Sequence, residues 1–210
     1  MTQLAVFGAS GRTGRVVVHL ALSQGRGVRA LVRPAAHFDP RPGVEVLRGA
    51  LEDPAAVATT LSGTAVVCCV FGPRSASAPA FCARGTAQVI SAMKASGLRR
   101  VVCLTGAMVG VLPPNVSLPM RFLAGAFRRR VPHLATDAAE QERIVMQSAL
   151  DWTIVKPPRL TDGPPTGRVR ADPALRVGLL SRIRRQDLAA FMLAEVARSA
   201  HLEQRVYVSN

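Results

Sequence analysis

Hydrophobic positions in this chain fall into short β-branched runs, separated by longer stretches in which apolar residues recur every three or four positions. The runs at 4–7, 28–32, 44–47, 65–70, 101–104, 152–155 and 206–208 predict strands. Four of these runs are continuously apolar, as strands covered on both faces must be. The helical periodicity predicts helices over 11–24, 54–61, 81–96, 136–149 and 186–200, with Gly97 ending the third. Regular alternation of strand and helix predicts the α/β class, a doubly wound parallel sheet with helices on both faces.

Two segments break the rhythm. Residues 106–135 carry Pro113, Pro114, Pro119 and Pro132 around an apolar piece at 120–127, and residues 157–185 carry Pro157, Pro158, Pro164, Pro165 and Pro173. Each follows a strand, so in a doubly wound fold both lie on the carboxyl edge of the sheet, where ligands bind; they are candidate substrate walls. No internal repeat appears, and 210 residues suit one core, so 1–210 is expected to form a single nucleotide-binding domain.

The strongest chemical signal is Gly8-Ala-Ser-Gly-Arg-Thr-Gly14, directly after the first strand and directly before the first helix. In this G-x-x-G-x-x-G spacing the first glycine permits a tight turn and the second lets the backbone approach a diphosphate. The third lets helix and strand pack closely. Free amides at the helix start then face the anion. A NAD site usually ends its second strand on Asp or Glu, to accept from the ribose 2′-hydroxyl. Here that strand ends Leu31-Val32-Arg33, and Arg12 stands inside the loop. Arginines at these positions favour the 2′-phosphate of NADP(H).

A formal charge of +14 is compatible with nucleic acid, an acidic surface or an anionic small molecule. Lys94 and Lys156 are the only lysines, aromatic residues make up 4%, and no nucleic-acid-binding motif accompanies the charge, which speaks against nucleic acid. Cys68, Cys69, Cys82 and Cys103 lack C-x-x-C spacing and read as buried thiols in a reducing compartment. With no membrane-length apolar run and no signal pattern, a soluble, cytoplasmic chain is expected. His19, His37, His133 and His201 have no metal-ligand spacing, so no metal is expected.

The residues resemble the atypical short-chain dehydrogenase/reductases, and within them the NAD(P)H-binding group of biliverdin-IXβ and flavin reductases. The likeness rests on Ala5-Val-Phe-Gly-Ala-Ser-Gly-Arg-Thr-Gly14, Leu31-Val-Arg33, Phe71-Gly-Pro-Arg74, Ile90-Ser-Ala-Met-Lys-Ala-Ser-Gly97, Leu150-Asp-Trp-Thr-Ile-Val-Lys-Pro-Pro158 and Gln186-Asp-Leu-Ala-Ala-Phe-Met-Leu193. It implies a Rossmann domain with a shallow site above the nicotinamide, reducing flavins, tetrapyrroles or quinone-like compounds with NADPH. It also implies a cofactor site of Gly8, Ser10, Gly11, Arg12, Thr13, Gly14, Arg33, Leu51, Phe71, Gly72, Arg74, Thr105, Pro157 and Pro158. The aspartate that usually follows the Gly49 turn is replaced by Ala50, so Leu51 or Glu52 takes its place near the adenine.

The catalytic positions depart from the family. The only tyrosine is Tyr207, in the last strand and with no lysine after it, which excludes a Tyr-x-x-x-Lys pair. The serine and histidine that the resemblance places after the fifth and sixth strands read here as Thr105-Gly106 and Pro158-Arg159. Thr105, Gly106 and Arg159 are therefore the catalytic-site candidates. Gly106 has no side chain, and Arg159 is too basic to act as an acid near neutrality, though it suits an anionic substrate or developing negative charge. Glu140, within an E-Q-E-R stretch, reads as a solvated helix residue. The stretch 108–134 is longer than in biliverdin-IXβ reductases. Its 118–130 portion is either a surface helix packed on the core or a lid or homodimer contact. Two functions stand: a reductase acting on a planar, partly anionic small molecule, and a non-catalytic NADP(H) sensor of the NmrA type.

Overall fold

The computed structural model describes residues 3–73, 75, 77–110, 112 and 116–210. The chain runs β1 (Gln3–Phe7), α1 (Arg12–Ser23), β2 (Val28–Val32), β3 (Val44–Arg48), α2 (Pro54–Leu61), β4 (Thr64–Cys69), α3 (Cys82–Ala95) and β5 (Arg100–Leu104). It continues through α4 (Leu118–Arg130), α5 (Pro132–Met146), β6 (Asp151–Lys156), β7 (Arg159–Thr161), β8 (Arg170–Asp172), β9 (Arg182–Arg184), α6 (Arg185–Arg198) and β10 (Gln204–Ser209).

Eight strands form one sheet in the order β3-β2-β1-β4-β5-β6-β10-β8, parallel except for β8, which lies antiparallel on β10. The order reverses between β1 and β4, the crevice where Rossmann sheets take their ligands. Side chains alternate across the sheet. Leu4 and Val6 of β1 join Val66 and Cys68 of β4 beneath α1 and α6, while Ala5 and Phe7 join Val67 and Cys69 beneath α2, α3 and α5. Both faces are thus buried, as the continuous apolar runs require.

The expected α/β architecture is present, but α5 begins at Pro132 rather than 136, and β7, β8 and β9 are three-residue strands inside the proline-rich 157–185 segment. The apolar piece at 120–127 lies in a helix, α4, one of the forms considered for 118–130. Pro119 and Pro132 sit in the first turns of α4 and α5, where a missing N–H has no partner to lose, so they start helices instead of breaking them. All four cysteines are free and buried, and burial pushes the Cys68 thiol up to about 12. No helix among the described residues is long and apolar enough to cross a membrane.

Candidate functional site

The glycine loop is held by sterics. A Cβ on Gly8, which has φ of +93°, would lie 2.7 Å from the Phe71 nitrogen. A Cβ on Gly14 would overlap the Gly8 carbonyl oxygen and lie 2.8 Å from the Ala9 Cα. No side chain fits at either position, so backbone lines the turn at both glycines. The start of α1 is Gly11, without a side-chain cap and without an acid in the first turn. The helices beside it differ. Asp53 caps α2 through the Ala55 and Ala56 amides, and Asp137 of α5 covers the start of α3, accepting from Cys82 N at 2.8 Å and Ala83 N at 3.0 Å. An uncapped helix start behind a glycine turn is a site for an anion.

That turn opens on a cleft of about 480 Å³ lined by Gly8, Ser10, Gly11, Leu31, Arg33, Gly49, Leu51, Glu52, Phe71, Gly72, Phe81 and Arg84, among others. Its volume matches small-molecule sites. Gly8, Ser10, Gly11, Arg33, Leu51, Phe71 and Gly72 therefore meet at one place. Thr13 and Gly14 are buried under the turn. Arg84, in the first turn of α3, was not anticipated; it follows from the packing of that turn on Leu51, whose Cδ1 would be 3.1 Å from a Cβ on the neighbouring Gly85. Gly49 is needed because a Cβ there would lie 2.5 Å from the Ala56 Cβ. Arg74 lies outside the described residues. Arg12 takes a different direction from the one expected for the 2′-phosphate: it forms an ion pair with Asp162 of the proline-rich segment, as does Arg185 at 2.6 Å.

The remaining candidates gather at the ends of β5 and β6. Backbone bonds from Thr105 N to Val155 O (3.0 Å) and Ala107 N to Pro157 O (2.9 Å) extend the strand pairing, setting Thr105 and Gly106 beside Pro157 and Pro158. Arg159 opens β7 and is exposed. Beneath them lies a group the spacing arguments missed. Lys156 and Glu142 are fully buried and paired; Lys156 Nζ also donates to Val109 O at 2.7 Å, and Thr105 Oγ1 donates to Glu142 Oε1 at 2.9 Å. Glu142 Oε2 has no hydrogen-bond partner among the described residues. Burial pulls the Lys156 ammonium below its ordinary range, against the upward pull of Glu142. Glu140, by contrast, pairs with Arg143 on the outer side of α5, which holds its carboxyl below the usual range. The signal for Glu142 was available: Leu134, Ala135, Gln141, Glu142 and Val145 share the buried side of α5.

Tyr207 and Lys156 are register partners on β10 and β6, with Nζ 5.7 Å from the tyrosine ring. The tyrosine is buried and burial pushes its hydroxyl pKa up, so the pair does not present an acid to the surface. The proline-rich segment is tied down at Asp187. Its carboxylate accepts from Thr166 N, Thr166 Oγ1 (2.8 Å), Gly167 N and Asn210 Nδ2 (2.9 Å). Burial acts to raise the Asp187 pKa, but these bonds prevail and hold it below the usual range. Asn210 Oδ1 also accepts from Arg184 N at 2.8 Å, and its Nδ2 reaches Arg168 O at 2.8 Å.

A glycine turn at an uncapped helix, opening on a cleft at the strand-order reversal, defines a Rossmann dinucleotide-binding protein. Residues 8–199 match the model of the NAD(P)H-binding family; the chain belongs to that family, and a nicotinamide dinucleotide is its cofactor. Its fold resembles that of an anaerobilin reductase, ChuY, from Escherichia coli O157:H7, with a TM-score of 0.81 at 23% identity, covering 99% of this chain and 97% of that one. It also resembles a short-chain dehydrogenase/reductase from Veillonella parvula in complex with NADP, with a TM-score of 0.82 at 14% identity, covering 100% and 94%. An uncharacterised chloroplastic protein of Arabidopsis thaliana is 27% identical over an alignment of 217 positions, gaps included, that covers 95% of this chain and 71% of that protein.

Proposed function

We propose that this protein is an NADPH-dependent reductase that delivers hydride to a planar acceptor, a flavin, quinone-like compound or tetrapyrrole, at the open carboxyl edge of β5 and β6. The observation that carries this reading is the division of that edge. An arginine-walled cleft and glycine turn occupy one half, and the other half presents no side-chain acid suited to neutral pH among the described residues.

On the cleft side, the amides of 10–14 hold the diphosphate, Leu31, Leu51 and Phe71 flank the adenosine, and Arg33 takes the 2′-phosphate. NADPH, when bound, supplies a hydride. On the other side, Thr105, Pro157 and Pro158 form the floor on which the reacting rings lie. Gly106 offers no side chain, the Thr105 hydroxyl donates to Glu142, and Arg159 keeps a positive charge suited to an anionic substituent. Such a surface fits acceptors whose reduced form takes its proton from water, so catalysis rests on proximity and orientation. The fold neighbour described as an anaerobilin reductase supports the reductase class. The free, buried cysteines suit a reducing compartment such as the cytoplasm.

The same lack of an acid favours a second reading, an NADP(H) sensor of the NmrA type that binds cofactor without turning it over. Steady NADPH oxidation on addition of FMN, a quinone or a bilin is the expected result. Tight NADPH binding with no oxidation by any of the three would overturn the enzyme and leave the sensor. Cofactor choice is tested separately. Arg33→Ala should reduce the preference for NADPH over NADH by about 1 to 3 kcal/mol, the scale of a charge-assisted bond, and an unchanged ratio would move the selectivity elsewhere.

A further inference from the structure

We propose that the corner formed by α4 and the 175–180 stretch is a docking face for an anionic membrane surface. Six large hydrophobic side chains are strongly exposed among the described residues, and five of them, Leu118, Phe122, Leu123, Leu179 and Leu180, lie in these two pieces of chain. Leu118 is 78% exposed, Phe122 76% and Leu180 94%.

Unlike an ordinary surface helix, α4 carries large apolar residues on its outer side as well as its inner one. Its inner side is satisfied by Met120 and Ala124, four residues apart and buried. Leu118 and Phe122, also four apart, fall on the opposite side and face water. Met120 shares one buried cluster with Val177, so α4 and the stretch that carries Leu179 and Leu180 meet at one corner, with Leu118 and Phe122 on the outer side of the helix. Exposed apolar residues gathered this way mark an interaction surface.

Charge selects the partner. Arg121, Arg128, Arg129 and Arg130 lie on α4, with Arg176 and Arg182 in the neighbouring segment. None of the six has a carboxylate partner among the described residues. Residues 101–136 and 173–186 contain no Asp or Glu at all. A second copy of this chain meeting the same face would set arginine against arginine, because an isologous interface pairs a patch with itself. Polyanions such as nucleic acid would take the arginines and leave Leu118, Phe122 and Leu180 in water. A bilayer with acidic lipids satisfies both sets: leucine and phenylalanine enter the headgroup boundary while the arginines meet the headgroups. The buried cluster under the corner also contains Ala107 and Tyr207, at the carboxyl edge of β5 and in β10. Docking there brings that edge to the bilayer, within reach of a lipid-dissolved acceptor. The docking does not depend on the reductase reading, and it is measured without turnover.

The test is co-sedimentation of the full chain with vesicles of phosphatidylcholine, alone or with phosphatidylglycerol as about a third of the lipid. Binding is expected to the mixed vesicles only, weakening with salt. Each basic residue near such a surface is worth about fivefold in partition, so Arg128→Gln/Arg129→Gln/Arg130→Gln should lower binding on the order of 100-fold. A charge-matched control, Arg26→Gln/Lys94→Gln/Arg198→Gln, removes three cations at or just past the carboxyl ends of α1, α3 and α6, on the opposite edge of the sheet, and should change it far less. Leu118→Ser/Phe122→Ser should also release the protein while retaining NADPH binding, which confirms folding. Equal loss in the control, or no loss in the serine variant, would reduce the effect to general polycation attraction and overturn the proposal. So would the absence of vesicle binding together with a dimer, seen by sedimentation velocity, that Phe122→Ser dissociates; that result would assign the face to a second copy.

Discussion

Replacing Lys156 by Met tests what the buried pair under the site contributes. The ammonium is fully buried and makes two contacts, to Glu142 and to Val109 O at 2.7 Å. Its removal leaves a carboxylate in the interior with Thr105 as its remaining donor and Oε2 without a partner among the described residues. Breaking one side of a buried pair costs about 3 to 5 kcal/mol, because the abandoned charge stays desolvated. In a domain of this size each kcal/mol lowers Tm by about 2 to 4 °C, so a fall of roughly 6 to 20 °C is expected. Glu142→Leu should cost a similar amount. The double variant removes both charges and leaves two neutral groups, the Thr105 hydroxyl and the Val109 carbonyl, short of a partner. At about 1 to 3 kcal/mol each, its cost is roughly 2 to 6 kcal/mol, below the roughly 6 to 10 kcal/mol of additive singles. Urea unfolding of the wild type, both singles and the double gives the cycle, with m held constant as the check on two-state behaviour. Additive losses, or a single loss under about 1 kcal/mol, would refute the reasoning and mean that water reaches the pair.

Three further outcomes follow from the site. Asp187 has a native pKa held below the ordinary 3.8, so the unfolded chain binds its proton first as pH falls; its contribution is complete above 3.8 and is lost below it. Urea midpoints measured from neutral pH to about pH 3 should therefore drop, and Asp187→Asn should start lower and flatten that acid limb. Gly106→Ser fits sterically, since a Cβ there meets nothing nearer than Val109 Cγ2 at 3.8 Å. It should change turnover little, whereas a gain of about 100-fold, the scale of side-chain acid catalysis, would show that a proton had been limiting. Arg159→Ala should raise KM for FMN with kcat nearly intact and abolish a salt-sensitive preference for FMN over riboflavin; equal treatment of the two flavins by both proteins would remove Arg159 from substrate binding.

The sheet was legible because its central strands β1, β4 and β5 are buried on both faces and read as nearly unbroken apolar runs, and because the glycine turn has one steric solution. What escaped was local. The prolines at 119 and 132 signal a break in isolation and a helix start in context, and only the position of the first turn decides between them. Strands β7 to β9 are too short to show a period. Arg12 could be placed in the loop but not aimed, since its partner Asp162 is 150 residues away in sequence. Lys156 was read only as part of a motif, because its ion pair depends on how α5 is rotated against β6.

Asn210 binds Thr166, Arg168, Arg182, Arg184 and Asp187, holding the proline-rich rim from a position that follows every segment it organises. Synthesis therefore delivers the proline-rich segment before the residue that fastens it. The β1 to β6 core and its glycine turn can assemble from local βαβ units, whereas the rim at 166–187 waits for β10 to insert between β6 and β8 and bring Asn210 into place. A chain interrupted before residue 204 would keep the dinucleotide cradle while leaving this rim unfastened. In the order of folding, competence to hold the cofactor precedes the fastening of this rim.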